Sequence, residues 1–136
     1  MVEDQNFHKV KKIIYVLILL LVFSSKSYSQ NFKLEKLVKL NAPWGSSFIN
    51  DREIIVTEKS GKIKIVNILS KEIKEISHQL NFVVHGQGGL LDIIHKDNYI
   101  WISYTEDRGG YKTSTSIARA EFNKKQLNFK NIFQAN

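Results

Sequence analysis

From residue 46 onward, short apolar and β-branched runs alternate with polar turn sequences. Residues 53–58 (EIIVTE) are apolar in the middle, and residues 62–65 (KIKI) alternate strictly between lysine and isoleucine. Strict alternation is typical of a strand with one buried face, because successive side chains point to opposite faces of a sheet. The turn sequence KSG at residues 59–61 separates the two runs. The pattern therefore predicts consecutive antiparallel strands.

The segment at residues 72–77 is ambiguous on its own. Ile73, Ile76 and Leu80 have the spacing of one face of a helix. The strand pattern on both sides of the segment favours an edge strand instead. Because a second series of four strands follows, we predict a strand here, as the fourth of the first series.

A second series of strand patterns follows the first. The run YIWISYT, which starts at Tyr99, is rich in the aromatic and β-branched residues that strands favour. It corresponds to the EIIVTE run that starts at Glu53, at an offset of 46 residues. A four-stranded repeat of roughly 40–50 residues is the period of a propeller blade. The four predicted strands of the second series are residues 89–94, 99–105, 113–122 and 127–133.

The sequence thus predicts an all-β fold, the first two four-stranded blades of a β-propeller. We place blade one at residues 46–80 and blade two at residues 88–135. Propellers close their ring with about 4–8 blades, and each blade buries its faces against its neighbours. We therefore expect the propeller to be incomplete in this chain. A small eight-stranded β-sandwich is the alternative fold.

The first thirty residues have the features of an export signal. Lysines at residues 9–12 precede an unbroken apolar run of eleven residues at 13–23. A bilayer span takes about 20 apolar residues, whereas the core of a signal peptide is shorter. The small residues Ser27 and Ser29 predict cleavage after Ser29. We therefore predict a signal peptide at residues 1–29 and a secreted or periplasmic chain with no stable membrane span after cleavage. An uncleaved anchor and a short buried helix are the rival interpretations.

Composition narrows the function classes. Hydrophobic residues make up 43% of the chain and charged residues 24%, an ordinary globular balance. The chain has no cysteine, which excludes disulfides, thiolate metal sites and a cysteine nucleophile. The formal net charge is +7, but the lysines that carry most of it are spread singly. A nucleic-acid surface would cluster them with arginines and stacking aromatics. We therefore expect no nucleic-acid partner, and a basic nucleic-acid binder is the weakest alternative.

A glycine-rich loop, HGQGG, joins the two series of strands. Glycines let the backbone turn sharply and approach a ligand closely. Phosphate-binding loops have the patterns GxGxxG or GK[ST], and this loop has neither. By itself, the loop therefore indicates little about the ligand.

The loop is more informative when it is considered together with the motifs on either side of it. Five motifs follow one another in the chain: PWG (43–45), IVTEKSG (55–61), GQGGLLD (86–92), SYT (103–105) and IARA (117–120). In this order, they resemble the glucose/sorbosone dehydrogenase family, the soluble quinoproteins that oxidise aldose sugars. The chain looks closer to the aldose sugar dehydrogenase branch of that family. The resemblance covers residues 37–135, so that residues 30–136 correspond to the N-terminal part of the family's domain.

The resemblance implies an exported enzyme that oxidises aldoses at the anomeric carbon and passes electrons to an external acceptor. It implies a six-bladed propeller, the cofactor pyrroloquinoline quinone (PQQ) and calcium. The family's catalytic base is a histidine in a His-x-Gly-Gly-Arg-like motif, which would lie beyond Asn136. We therefore assign no catalytic residue and no metal ligand in this chain, and expect the chain itself to be an inactive fragment. Gln87 matches the family's loop glutamine and is predicted to bind cofactor or sugar, with Gly86 and Gly88 shaping the backbone.

None of the four histidines takes the place of the missing base. His8 lies in the signal, His78 is predicted on a polar edge, and His85 flanks the glycine loop. His95 stands where relatives often have His-Pro, and no two of the histidines have metal-ligand spacing with a carboxylate. An exported, non-catalytic propeller module that binds glycans or protein partners is therefore the alternative function, because one scaffold hosts many functions.

Three further expectations concern the start of the domain. Residues 32–40 (FKLEKLVKL) look amphipathic by alternation. The resemblance implies that an N-terminal strand completes the last blade, and we assign that strand to this segment. Its partner strand would then be missing from this chain, which would leave the segment as an exposed edge. Trp44 is expected to pack between blades, and Asp92 is expected to serve as a structural hydrogen-bonding group.

The export signal makes a direct prediction about the mature chain. In a bacterial host, mass spectrometry of the exported protein should give an N-terminus at Gln30. The variant Ser29→Trp should block cleavage, because signal peptidase accepts only small residues at that position. Retention of the unprocessed wild-type chain in the membrane fraction would favour the uncleaved anchor.

Overall fold

The computed structural model describes residues 8–9, 11–18 and 32–136. Residues 8–9 and 11–18 are helical and exposed. Within the described residues, the protein contains no helix with the length and apolar character needed to cross a bilayer. The predicted cleavage point after Ser29 and part of the apolar run before it lie outside the described residues.

The chain divides into two compact units, Met1–Glu35 and Lys36–Asn136. The second unit contains all the strands of the described residues. In chain order they are β1 (Pro43–Asn50), β2 (Glu53–Glu58), β3 (Lys62–Asn67), β4 (Ile73–His78), β5 (Leu90–Lys96), β6 (Tyr99–Asp107), β7 (Thr113–Glu121), β8 (Gln126–Leu127) and β9 (Lys130–Gln134).

The strands form two sheets. One sheet has the order β1-β2-β3-β4-β8 and the other has the order β5-β6-β7-β9. Consecutive strands within each sheet are antiparallel neighbours, and β8 alone adds in parallel to β4. The all-β prediction and the two series of strands are confirmed.

The ambiguous segment before the glycine loop is a strand, as predicted. In β4, Ile76 pairs with Ile63 and Ile73 pairs with Val66 of β3. Ile76 is buried, whereas Ile73 on the same predicted helix face is exposed. The helical spacing therefore does not mark one buried face, because Ile73 is exposed whereas Ile76 is buried and Leu80 packs against the core.

The prediction of one continuous strand at residues 127–133 is wrong. The short strand β8 pairs with β4 of the first sheet, and β9 pairs with β7 of the second. Between them the chain crosses from one sheet to the other, because Leu127 and Phe129 are both buried in the common core. Gln79 holds this crossing, since its side chain bonds both the carbonyl oxygen (2.8 Å) and the N–H (3.2 Å) of Phe129.

The segment assigned to the N-terminal strand forms no strand here, and its place in the last blade of the family's propeller stays a prediction. Residues 32–40 have no regular secondary structure, and the side chains of Phe32 and Leu34 are exposed. Alternation marks which face of a strand is apolar, but a strand also needs a partner for its backbone N–H and C=O groups.

One hydrophobic core joins the two sheets. It is built from isoleucines of β2, β3 and β4 on one side and from apolar residues of β5, β6 and β7 on the other. Burying one isoleucine or leucine side chain contributes roughly 1.5–3 kcal/mol to the free energy of unfolding. The fully buried residues of this core include Ile55, Ile63, Leu90, Ile93, Ile100 and Ala118.

Strands β1 and β5 meet along a close polar seam. The buried Thr57 hydroxyl donates to the Leu91 carbonyl oxygen across the sheets (2.5 Å) and accepts the Gly45 N–H (3.0 Å). The Ser47 hydroxyl oxygen accepts the N–H of His95, again across the sheets (3.1 Å). These bonds set the relative position of the two sheets, because a buried polar group left without its partner is costly.

The seam requires a glycine at position 45. A Cβ at this position would lie 2.7 Å from the Cα of Asp92. We expect Gly45→Ala to lower the free energy of unfolding by about 1–3 kcal/mol, because the backbone of β5 must move away.

Urea unfolding followed by tryptophan fluorescence would measure this change. The exposed neighbour Ser46 provides the control, and Ser46→Ala should leave the midpoint nearly unchanged. A Gly45→Ala chain as stable as the wild type would show that the two strands are not packed this closely.

Candidate functional site

The glycine loop forms a tight turn with its glutamine at the tip. The N–H of Gly88 donates to the His85 carbonyl oxygen (2.7 Å), which closes the turn. Gly86 and Gln87 are exposed between these two residues, and Gly88 is half-buried. Within the described residues, the Gln87 side chain makes no hydrogen bond, so its amide is available to donate to and accept from a ligand.

A lysine of the first sheet holds this loop in place. The Lys59 ammonium, in the turn between β2 and β3, donates to the Gly86 carbonyl oxygen. Gly89 has φ +143°, and a Cβ there would lie 2.2 Å from the Lys59 carbonyl oxygen. On the other side, the Thr105 N–H of β6 donates to the Gly89 carbonyl oxygen (2.9 Å). The loop is thus fixed to both sheets, and Gly89 is needed for the close approach of the two backbones.

His78 lies in a half-buried aromatic environment rather than on a polar edge, so that prediction is wrong. Its ring is half-buried and packs against Phe82 (centroids 5.9 Å apart) and Phe129 (6.4 Å). Its Nε2 lies 2.7 Å from the Gly61 carbonyl oxygen. Of the two aromatic neighbours, Phe82 follows four residues later in the chain, whereas Phe129 comes from a distant segment.

The other histidines of the second unit have different environments. His85 is exposed beside the loop. His95 packs edge-on against Phe122, with ring centroids 5.0 Å apart. Within the described part of the chain, no three His, Cys, Asp or Glu side chains come together as possible metal ligands.

A buried carboxylate lies at the same end of the first sheet. Glu58 is fully buried at the end of β2, and its Oε1 accepts from the Lys64 ammonium (2.8 Å) and the Asn41 N–H (2.7 Å). Burial acts to raise the pKa of Glu58, but these two hydrogen bonds outweigh it and lower the pKa below its ordinary value. Its Oε2 is buried without a hydrogen-bond partner among the described residues.

Two further predictions concern residues near the seam, Asp92 and Trp44. Asp92 is a structural hydrogen-bonding group as predicted, since its Oδ1 accepts the Ile93 N–H (2.9 Å). Its own N–H donates to the Ser103 hydroxyl (3.1 Å). Trp44 is about half exposed, and its packing between blades stays a prediction.

Sequence reasoning missed two parts of this region. One is Lys59, whose role depends on a contact 27 residues away in sequence. The other is an open cleft of about 550 Å³ beside His85, which residues of the β6–β7 loop line on the other side. The sequence signal for that loop was the pair Gly109-Gly110 followed by an aromatic residue, Tyr111.

Comparison with known proteins identifies relatives of this chain. The sequence profile of the family described as Glucose / Sorbosone dehydrogenase matches residues 40–136. The aldose sugar dehydrogenase YliI of Escherichia coli K12 is 26% identical over 105 residues, which is 71% of this chain and 28% of that protein. The chain thus spans less than a third of the length of this relative.

Solved structures of similar proteins have the same fold. The soluble aldose sugar dehydrogenase of Escherichia coli is similar with a TM-score of 0.64 and 25% identity, over 70% of this chain and 30% of that one. The PQQ-bound form of aldose sugar dehydrogenase from Streptomyces coelicolor has a TM-score of 0.65 and 20% identity, over 75% of this chain and 33% of that one. These neighbours are β-propeller enzymes, so the prediction of propeller blades is confirmed over the sandwich.

The lysine contact predicts a specific loss of order in the glycine loop. In Lys59→Met, the amides of Gly88 and Thr105 should exchange with solvent about five- to tenfold faster, because the loop loses a bond worth roughly 1 kcal/mol. Hydrogen exchange followed by NMR measures each amide.

Lys62→Met is the matched control, because Lys62 pairs only with Glu75 on an exposed part of the same sheet. Unchanged exchange in Lys59→Met would show that the backbone contacts alone hold the loop.

Proposed function

The chain belongs to the glucose/sorbosone dehydrogenase family, and on that basis we propose that it forms the sugar- and quinone-facing loop of a PQQ-dependent aldose dehydrogenase. The observation that carries the proposal is Gln87, whose unpaired amide is exposed at the tip of a loop fixed to both sheets. Curated and structural relatives named as aldose sugar dehydrogenases support the choice of substrate.

The residues of the loop fit a polar ligand such as PQQ or a sugar. Gln87 offers two N–H donors and a carbonyl acceptor. Among the described residues its side chain has no hydrogen bond that a ligand would have to break on binding. Gly86 has no atom within 4 Å of the position where a Cβ would lie, so a ligand can approach the backbone there. When bound, PQQ would supply the oxidising chemistry, and this loop would orient the sugar or the quinone beside it.

The chain's own residues contribute positioning rather than proton transfer. His85 is exposed next to the loop, and we assign it no role as a base. We propose that the catalytic base and the calcium ligands come from parts of the family's domain that this chain does not contain. For these 136 residues alone, we therefore expect ligand binding without turnover.

We also propose that the protein acts outside the cytoplasm. The basic segment followed by a short apolar run and small residues supports export. An external electron acceptor would then reoxidise the quinone, because an exported enzyme has no access to cytoplasmic carriers.

The full chain, reconstituted with PQQ and Ca²⁺, provides the test of this function. We expect PQQ to bind, as measured by the change in its absorbance, and Gln87→Ala to weaken the binding several-fold. This loss corresponds to one or two hydrogen bonds of roughly 0.5–1.5 kcal/mol each. Reduction of a dye acceptor in the presence of glucose should stay at the background level.

The control is Gln126→Ala, which removes an exposed glutamine whose side chain bonds only Asn128. Aldose turnover by the wild-type chain would contradict the proposal that the base lies elsewhere. Aldose binding without any PQQ binding would instead favour a non-catalytic glycan-binding module.

A further inference from the structure

The cleft beside the glycine loop has two well-defined walls. One wall is Val83 and His85, which lead into the loop, and the other is the turn between β6 and β7. Its volume of about 550 Å³ lies within the roughly 300–1,000 Å³ of small-molecule sites. Because His85 directly precedes Gly86, the cleft is continuous with the loop to which the proposed function assigns the sugar.

The floor of the cleft is held by backbone hydrogen bonds. The Val83 N–H donates to the Thr105 carbonyl oxygen (2.9 Å), and the Asp107 N–H donates to the Asn81 carbonyl oxygen (3.2 Å). The Asn81 side-chain amide donates in return to the Asp107 carbonyl oxygen (3.2 Å). The segment before the loop is therefore hydrogen-bonded along the end of β6, and these bonds fix the shape of the cleft.

The opposite wall is a turn that presents one aromatic side chain to solvent. The Arg108 N–H donates to the Lys112 carbonyl oxygen (2.9 Å), and the Lys112 N–H donates to the Gly109 carbonyl oxygen (3.1 Å). Within this closed turn Tyr111 has φ +63° and its side chain is fully exposed. A bulky residue in the left-handed region costs roughly 1–3 kcal/mol, and such positions cluster at binding sites.

The lining groups favour an uncharged polyhydroxy ligand. No lysine or arginine lines the cleft, so nothing there would neutralise a phosphate or a carboxylate. Asp107 uses Oδ1 to accept the Gly109 N–H (2.8 Å), and within the described residues its Oδ2 has no partner. The hydroxyls of Thr105 and Thr113 can both donate and accept. A carboxylate and two hydroxyls beside an exposed aromatic ring match the hydroxyl rim and apolar face of a pyranose.

We propose that this cleft binds one pyranose unit, with the ring of Tyr111 against the apolar face of the sugar and Asp107, Thr105 and His85 hydrogen-bonded to its hydroxyls. The inference rests on the proposed function for the choice of a sugar over other neutral polyols. It adds a binding residue, Tyr111, from a segment outside the glycine loop.

The test is a ¹H–¹⁵N NMR titration of the full chain with glucose, maltose and the open-chain polyol sorbitol. Glucose and maltose should give saturable shifts at residues 83–85 and 105–113. Sorbitol carries comparable hydroxyls but no ring face, and it should give much smaller shifts. The site is contradicted if neither sugar gives saturable shifts there, or if sorbitol matches them.

Variants of the turn separate stacking from loss of structure. Tyr111→Ala and Tyr111→Gly should each raise the Kd for glucose about fivefold or more, the loss expected for one aromatic contact. Glycine adopts a positive φ without strain, so Tyr111→Gly removes the ring without straining the turn. A loss of affinity in this variant is therefore due to the missing ring. Tyr111→Phe keeps the ring, and Lys112→Ala changes an exposed side chain outside the cleft; both should bind within about twofold of the wild type. Unchanged affinity in both Tyr111→Ala and Tyr111→Gly would overturn the assignment of Tyr111.

Adding PQQ and Ca²⁺ to the same sample distinguishes this inference from the proposed function. Shifts at residues 86–88 with PQQ, but none in the cleft with sugars, would refute the subsite and leave the quinone proposal standing. Sugar shifts in the cleft without any effect of PQQ would support the subsite and refute the quinone proposal.

Discussion

The polar seam between β1 and β5 is the constraint on which the rest of the structure depends. One buried hydroxyl, that of Thr57, bonds the backbones of Gly45 in its own sheet and Leu91 in the other. Apolar packing between sheets is tolerant of small sliding movements, whereas hydrogen bonds with defined lengths and directions are not. The seam therefore sets the register of the two sheets, and the core fills the space that this register leaves.

The position of the glycine loop follows from that register. The loop leaves the first sheet after β4 and enters the second at β5, so its two ends move only with the sheets. With the sheets fixed, the turn that carries Lys59 brings its ammonium to the carbonyl oxygen of Gly86 and its backbone carbonyl against the Cα of Gly89. The tip residue Gln87 is then the part of the loop without a protein partner among the described residues. A rigid loop with one free amide is suited to orienting a ligand, because little conformational freedom is lost on binding.

A network of hydrogen bonds and an ion pair surrounds Glu106, near the end of β6. Glu106 of β6 accepts hydrogen bonds from Ser116 (2.6 Å), Gln134 (2.9 Å) and Asn131 (2.8 Å), and pairs with Arg108 (3.2 Å). Partial burial acts to raise the pKa of Glu106, but these hydrogen bonds prevail and lower the pKa. The network links β6, β7 and β9 next to the turn of Tyr111, and so gives that turn a firm base.

Local pattern determined the strands, and a repeat of two strand series indicated propeller blades. Alternation in KIKI and the aromatic run YIWISYT were sufficient for this, because they reflect the two faces of a strand. The ordered motifs around GQGG indicated the family, and the loop residues Gly86, Gln87 and Gly88 were chosen on that resemblance.

Only the tertiary structure decided where segments distant in sequence meet. Burial of Leu127 and Phe129 divides the last predicted strand between the two sheets, and residues 32–40 form no strand despite their alternation. The aromatic environment of His78 and the contact of Lys59 with the loop were likewise invisible in the sequence. Periodicity records which side of a segment is apolar, but it does not record which partner covers that side.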